Sequence, residues 1–113
     1  LNNWSPGRDL SMDNRYKVKD IRLLAQRARQ AFLEYAPMRF ESTAPRIYRR
    51  IPYGPLLDIF VLDLRSYRAA NTHNRQEREG ADTTSLGRNQ MQWLQQELKR
   101  SSAVWKVIAS DMP

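Results

Sequence analysis

The sequence predicts an α/β fold in the order helix, strand, strand, helix, strand, and three observations carry that expectation. Apolar residues recur at three- and four-residue steps from Ile21 to Tyr35, the pattern of a helix that buries one face. Leu56 to Leu64 is nearly continuous apolar sequence, interrupted only by Asp58 and Asp63, which suits a strand covered on both faces. A second helical pattern and a third strand-like run follow, so the last two strands bracket a helix as a βαβ unit does.

Taken in order, Leu1 to Asp13 contains the turn formers Asn2, Asn3, Ser5, Pro6, Gly7, Asp9, Ser11 and Asp13 and reads as a surface loop. The first helix carries Ile21, Leu24, Ala25, Ala28, Ala31, Phe32 and Tyr35 on one face, with Arg22, Gln26, Arg27, Arg29 and Gln30 opposite. Pro37 stops it, because the residue before a proline avoids the helical region. Glu41 to Pro45 is a connection. Arg46 to Ile51 has strand character, and Pro52-Tyr53-Gly54-Pro55 punctuates the chain before the long apolar strand. The two strands form either a β-hairpin or a looser turn. Ala69 to Ser85 is polar, and a loop of that length in a compact domain is functional or mobile. Leu86, Trp93, Leu94 and Leu98 mark the second helix, ending near Ser101, and Val104 to Ala109 is a third strand expected in the core.

With 113 residues the chain holds at most one domain, able to bury roughly two-thirds of the surface its unfolded form exposes. The absence of cysteine excludes disulfides, thiolate metal sites and cysteine nucleophiles. A net charge of +7 attracts polyanions but says nothing about fold. No apolar run approaches the ~20 residues of a membrane span, and the opening residues lack a signal-peptide core. A strand needing cover on both faces is hard to satisfy in so short a chain. The expectation is therefore a central piece of a larger α/β protein, opening on Leu1 rather than Met and prone to self-association on its own.

Hard cations require carboxylates, amides and imidazoles. The one histidine, His73, sits in the polar loop without a partner at ligand spacing, and no metalloprotease, calcium-loop or phosphate-loop motif is present. The charged residues that stand out follow the apolar strand: Asp63, Arg65, Tyr67 and Arg68. A strand's carboxyl end is where open α/β sheets bind ligands, and the planar guanidinium matches phosphate oxygens. Equally, Asp63 and Arg65 pair with each other and anchor the following loop. Asp111 stands just beyond the third strand.

Several strings occur in a fixed order: Asn2-Asn3-Trp4, Ala31 to Arg39, Leu62-Asp63-Leu64-Arg65-Ser66-Tyr67-Arg68, Leu86-Gly87-Arg88-Asn89-Gln90-Met91-Gln92-Trp93-Leu94 and Trp105-Lys106-Val107-Ile108-Ala109. Together they resemble the middle of the PhoD-type alkaline phosphatases/phosphodiesterases, a branch of the calcineurin-like metallophosphoesterases. The resemblance implies that residues 1–113 are a partial fragment of a metallophosphoesterase α/β sandwich that hydrolyses phosphate mono- or diesters. It implies divalent or trivalent metal ions in the parent (calcium, iron, or manganese or zinc) and an exported or periplasmic location. Asn2 and Asn3 would then lie near the metal cluster, one supplying an amide oxygen; read alone, they are a turn-forming pair. Asp63, Arg65, Tyr67, Arg68 and Asp111 would line the phosphate cleft or anchor its loops. Missing are the family's early acidic and tyrosine-bearing motifs, its W-D-D-H-E string and its late G-D-x-H string, so the chain alone is expected to be inactive. The alternative is a basic nucleic-acid-binding or protein-interaction module without catalysis. No recognition motif supports specific nucleic-acid binding.

Overall fold

The structure is a computed structural model and describes residues 3–39, 46–73 and 75–111. Helix α1 spans Ile21–Tyr35, where the apolar spacing predicts it. Its first turn is capped by Asp20, whose carboxylate accepts the backbone N–H of Arg22 at 2.9 Å and of Leu23 at 3.2 Å, satisfying donors that have no partner inside a helix. Its C-cap, Ala36, is extended, as the following Pro37 requires. The apolar stripe is only partly covered. Ile21 is buried and Leu24 and Ala25 are half-buried, but Phe32 and Tyr35 are exposed, so periodicity formed the helix without supplying cover along its whole length. The expected connection Glu41 to Pro45 lies outside the described residues.

Strand β1 (Arg49–Tyr53) and strand β2 (Leu57–Val61) form the hairpin. Pro52 and Tyr53, read from sequence as part of the turn, belong to β1, and Gly54, Pro55 and Leu56 make the turn. Gly54 adopts φ +66°, a conformation glycine takes without steric penalty. Pro52 is tolerated because β1 is an edge strand, where a missing N–H need not break a ladder. A short 3-10 helix over Ala81–Thr83 interrupts the polar loop; helix α2 spans Arg88–Arg100 and strand β3 spans Trp105–Ala109. The sheet order is β1-β2-β3. β1 runs antiparallel to β2, with Ile51 opposite Ile59, and β3 runs parallel to β2, with Val107 opposite Ile59.

The central position of β2 decides where the core sits. Phe60 is 0% exposed and clusters with Leu62 and Leu94, and Leu86, Trp93 and Leu98 pack against them. Phe60 and Leu62, expected from sequence to need a partner molecule, are covered by this chain itself. Uncovered apolar surface lies instead on the outer part of α1 and on β3, the latter expected in the core. Trp105 is 68% exposed, and Val107 and Ile108 are exposed too. Consecutive strand residues point to opposite faces, so β3 is bare on both. Among the described residues it has a neighbouring strand on one side only. The opening segment departs from the expected surface loop as well, since Ser5 and Leu10 are buried. No described helix is long and apolar enough to cross a membrane.

Asp58, an apparent break in the apolar run, is 1% exposed and ties three elements together. Its carboxylate accepts a hydrogen bond from the Ser101 hydroxyl at the end of α2 and pairs with the Arg50 guanidinium of β1 at 2.7 Å. Arg50 also reaches Glu97 of α2 at 3.3 Å. The Ser101 hydroxyl, and then Arg50, hold the Asp58 carboxyl below its usual range. A carboxyl depressed by folding stabilises above its unfolded value of about 3.9, and that stabilisation is lost as pH falls through the lower folded value. Asp58→Asn is therefore expected to melt below the wild type at neutral pH, with the gap closing as the solution is acidified below about pH 4. Melting curves across an acid pH series check this, and a gap independent of pH would show that the Asp58 charge does not contribute.

Candidate functional site

Because β2 and β3 are parallel, their carboxyl ends lie side by side. Val61 stands opposite Ala109, and the Leu62 N–H donates to the Ala109 carbonyl at 2.9 Å. The chain leaves β2 through Asp63 and β3 through Ser110 and Asp111, so residues nearly fifty positions apart in sequence meet at one rim. The Leu64 N–H donates to Asp111 Oδ1 at 3.3 Å, and Arg65 Nε stands 3.9 Å from Asp111 Oδ2. The opening segment arrives at the same rim. Asn3 Oδ1 accepts Arg65 Nη1 at 2.7 Å and Arg68 Nη1 at 3.5 Å. The Asn3 carbonyl accepts Asn71 Nδ2 at 2.9 Å and Arg8 Nη1 at 3.5 Å. Asn3 itself has φ +49°, a left-handed conformation that asparagine adopts more readily than most residues.

Asp63 is buried, and its carboxylate does not pair with the Arg65 side chain. Oδ1 accepts the backbone N–H of Arg65 at 3.0 Å and of Ser66 at 2.8 Å, the local turn that aspartate forms with the residues after it. The loop is thus anchored through its backbone, which leaves the Arg65 guanidinium for Asn3 and Asp111. The Asp63 backbone is held in turn by α2: its N–H donates to Gln90 Oε1 at 2.8 Å, and its carbonyl accepts Gln90 Nε2 at 2.9 Å.

Tyr67 is an anchor of another kind. Its ring meets Tyr48 edge-on with centroids 5.6 Å apart, and Tyr48 lies 4.9 Å from Trp93, contacts of the sort aromatic rings favour. Gly87, the cap of α2, has φ +73°, and a Cβ there would stand 3.1 Å from the Tyr67 Cβ. Glycine therefore lets the start of α2 approach the loop. Partial desolvation pushes the Tyr67 hydroxyl above its ordinary value.

Of the residues singled out in the sequence, Asn3, Asp63, Arg65, Arg68 and Asp111 come together, Tyr67 braces the same loop from behind, and Asn2 lies outside the described residues. His73 is exposed in the polar segment. Arg8 and Asn71 reach Asn3 without any motif in the sequence to announce them; only the fold brings the opening segment across the end of β2. Beside the rim, an open depression of about 930 Å3 runs between α1 and the sheet, walled by Leu24, Phe32 and Val61 and bordered by Asp63, Arg65 and Asp111.

The donor set does not fit a complete metal centre. Asn3 Oδ1 is met by two guanidinium groups, whose positive charge opposes a cation at the same oxygen, and Asp63 Oδ1 is engaged by two N–H donors. Among the described residues no group of three or more histidine, cysteine, aspartate or glutamate side chains is placed to hold a metal ion. At the same rim the Arg65 and Arg68 guanidinium groups converge on Asn3, with the Asp111 carboxylate beside Arg65.

The family model of PhoD-like phosphatases matches residues 1–113. Alkaline phosphatase D of Bacillus subtilis (strain 168) is 38% identical over 95 residues, an alignment covering 75% of this chain and 16% of that relative. The chain thus spans about a sixth of the length of the curated relative it matches. No solved structure matches.

Proposed function

The chain belongs to the PhoD-like phosphatase family, and from that premise we propose that it forms one wall of the substrate cleft in a larger hydrolase of phosphate mono- or diesters. The observation that carries the proposal is the convergence of Arg65 and Arg68 on Asn3 at the carboxyl ends of β2 and β3. In phosphoryl transfer, charge spreads over the non-bridging oxygens, and fixed cationic donors aimed at them lower the barrier. Arg65 is suited to that task because Asp63 holds its backbone while its guanidinium makes contacts that a substrate oxygen can replace. On this reading the rim does not by itself hold the metal ions that family membership implies. The exposed faces and free edge of β3 support a reading in which the sheet continues into a wider α/β sandwich, or in which isolated chains pair with one another.

The test is Arg65→Ala in the full-length protein, assayed on an aryl phosphate and an aryl phosphodiester. Loss of a charge-assisted hydrogen bond to the developing phosphoryl charge should lower turnover by about tenfold to a hundredfold, or about 1.5–3 kcal/mol. Metal content should not change. The Asn3 and Asp111 contacts lie at the surface, where such pairs contribute at most about 1 kcal/mol, so the melting temperature should move little. Undiminished turnover in Arg65→Ala would overturn the assignment.

A further inference from the structure

Gln90 is 1% exposed, and its amide makes three hydrogen bonds. Besides the pair with the Asp63 backbone, Nε2 donates to the Leu86 carbonyl at 2.9 Å. Asp63 lies beyond the last paired residues of the parallel ladder, Val61 and Ala109, so its N–H and carbonyl leave the sheet while still buried. Buried backbone groups need partners. A carboxamide carries a donor and an acceptor spaced like those of a peptide, and here the Gln90 side chain takes the place of one more strand residue. Glutamine alone offers this acceptor and two donors at this reach. Asparagine is one carbon shorter, ionised glutamate has no donor, and leucine has neither.

The clasp leads to Arg65. Gln90 fixes the Asp63 backbone, the Asp63 carboxylate then takes the N–H groups of Arg65 and Ser66, and the Arg65 guanidinium is thereby delivered beside Asn3. We infer that Gln90 is a positioning residue for phosphate-ester hydrolysis: without touching substrate, it sets where the Arg65 guanidinium stands. The inference rests on the phosphate-cleft reading of Arg65. It differs from a packing role in its consequences. A buried side chain that only supported the fold would lower the melting temperature, leave kcat of the folded enzyme alone, and act independently of Arg65.

The experiment compares Gln90→Leu, Arg65→Ala and the double variant in the full-length protein with an aryl phosphate, measuring kcat, KM and melting. Below its melting transition Gln90→Leu is expected to lose about tenfold to a hundredfold in kcat, the range that displacement of a catalytic group by an ångström produces. The double variant should be no slower than Arg65→Ala alone, since both changes remove one contribution. Gln90→Glu serves if the leucine variant does not fold. Its ionised carboxylate faces two carbonyls and opens the clasp, whereas its protonated form restores the acceptor and one donor. Its kcat relative to wild type should therefore rise as the pH is lowered into the range where that carboxyl is protonated. Wild-type kcat in folded Gln90→Leu, a loss that multiplies with that of Arg65→Ala, or a Gln90→Glu ratio flat with pH would each overturn the inference. Slow Arg65→Ala beside full-speed Gln90→Leu removes the positioning role alone, while full-speed Arg65→Ala removes the cleft reading and the inference with it.

Discussion

Purified as the 113-residue chain, the protein is expected to show no metal-dependent turnover of an aryl phosphate or an aryl phosphodiester with calcium, iron, manganese or zinc added in turn. The reason lies in the donors. Generating an oxygen nucleophile at neutral pH takes a metal held by several protein groups, and among the described residues no acid or imidazole cluster is placed to hold one. The Asn3 amide oxygen at the rim faces two arginines. Anions should still bind weakly to the Arg65–Arg68 rim, because attraction between fixed charges does not depend on the missing groups. Metal-dependent turnover of ~1 per second or more, the lower end of ordinary enzyme rates, would show that the chain assembles its own centre.

The second large effect concerns the fold. Phe60→Ala is expected to destabilise the protein by about 3–5 kcal/mol, the usual range for removing a fully buried aromatic side chain. Phe60 is 0% exposed on the central strand and touches the cluster that joins β2 to α2. With the outer part of α1 and both faces of β3 exposed, few other apolar residues among those described are buried to compensate. A small domain has only about 5–15 kcal/mol in total, so the variant should unfold at a much lower denaturant concentration. Phe60→Leu, which refills part of the volume, should lose less. Denaturant titration of both variants measures the difference, and equal midpoints for Phe60→Ala and wild type would mean that the core lies elsewhere.

Elements set by local chemistry were legible in the sequence. Helix α1 was legible from the spacing of its apolar residues and from Pro37 as its stop, and Gly54 and Pro55 marked the break between the two strands, because backbone preference acts over a few residues; the Asp20 cap appeared only in the structure. Membership of the PhoD-like family was legible from short strings in a fixed order, which survive without any knowledge of contacts. The rim residues Asn3, Asp63, Arg65, Arg68 and Asp111 were legible as candidates for the same reason.

Their chemistry was not. Whether Asp63 pairs with the Arg65 guanidinium or with backbone N–H groups depends on distances of an ångström, which spacing in a sequence does not encode. The use of Gln90 as a substitute strand residue depends on where α2 crosses the end of β2. Burial misled in both directions. Val107 and Ile108 have the apolar character of a core strand yet lie exposed, because among the described residues little packs on the two faces of β3, while Asp58 is charged yet buried, because Arg50 and Ser101 converge on it. Composition and periodicity determined which segments became helix or strand. Only the parallel pairing of β2 with β3 brought Asp63 and Asp111 to one rim, since joining residues so far apart in the chain requires the ladder and the α2 crossover between them.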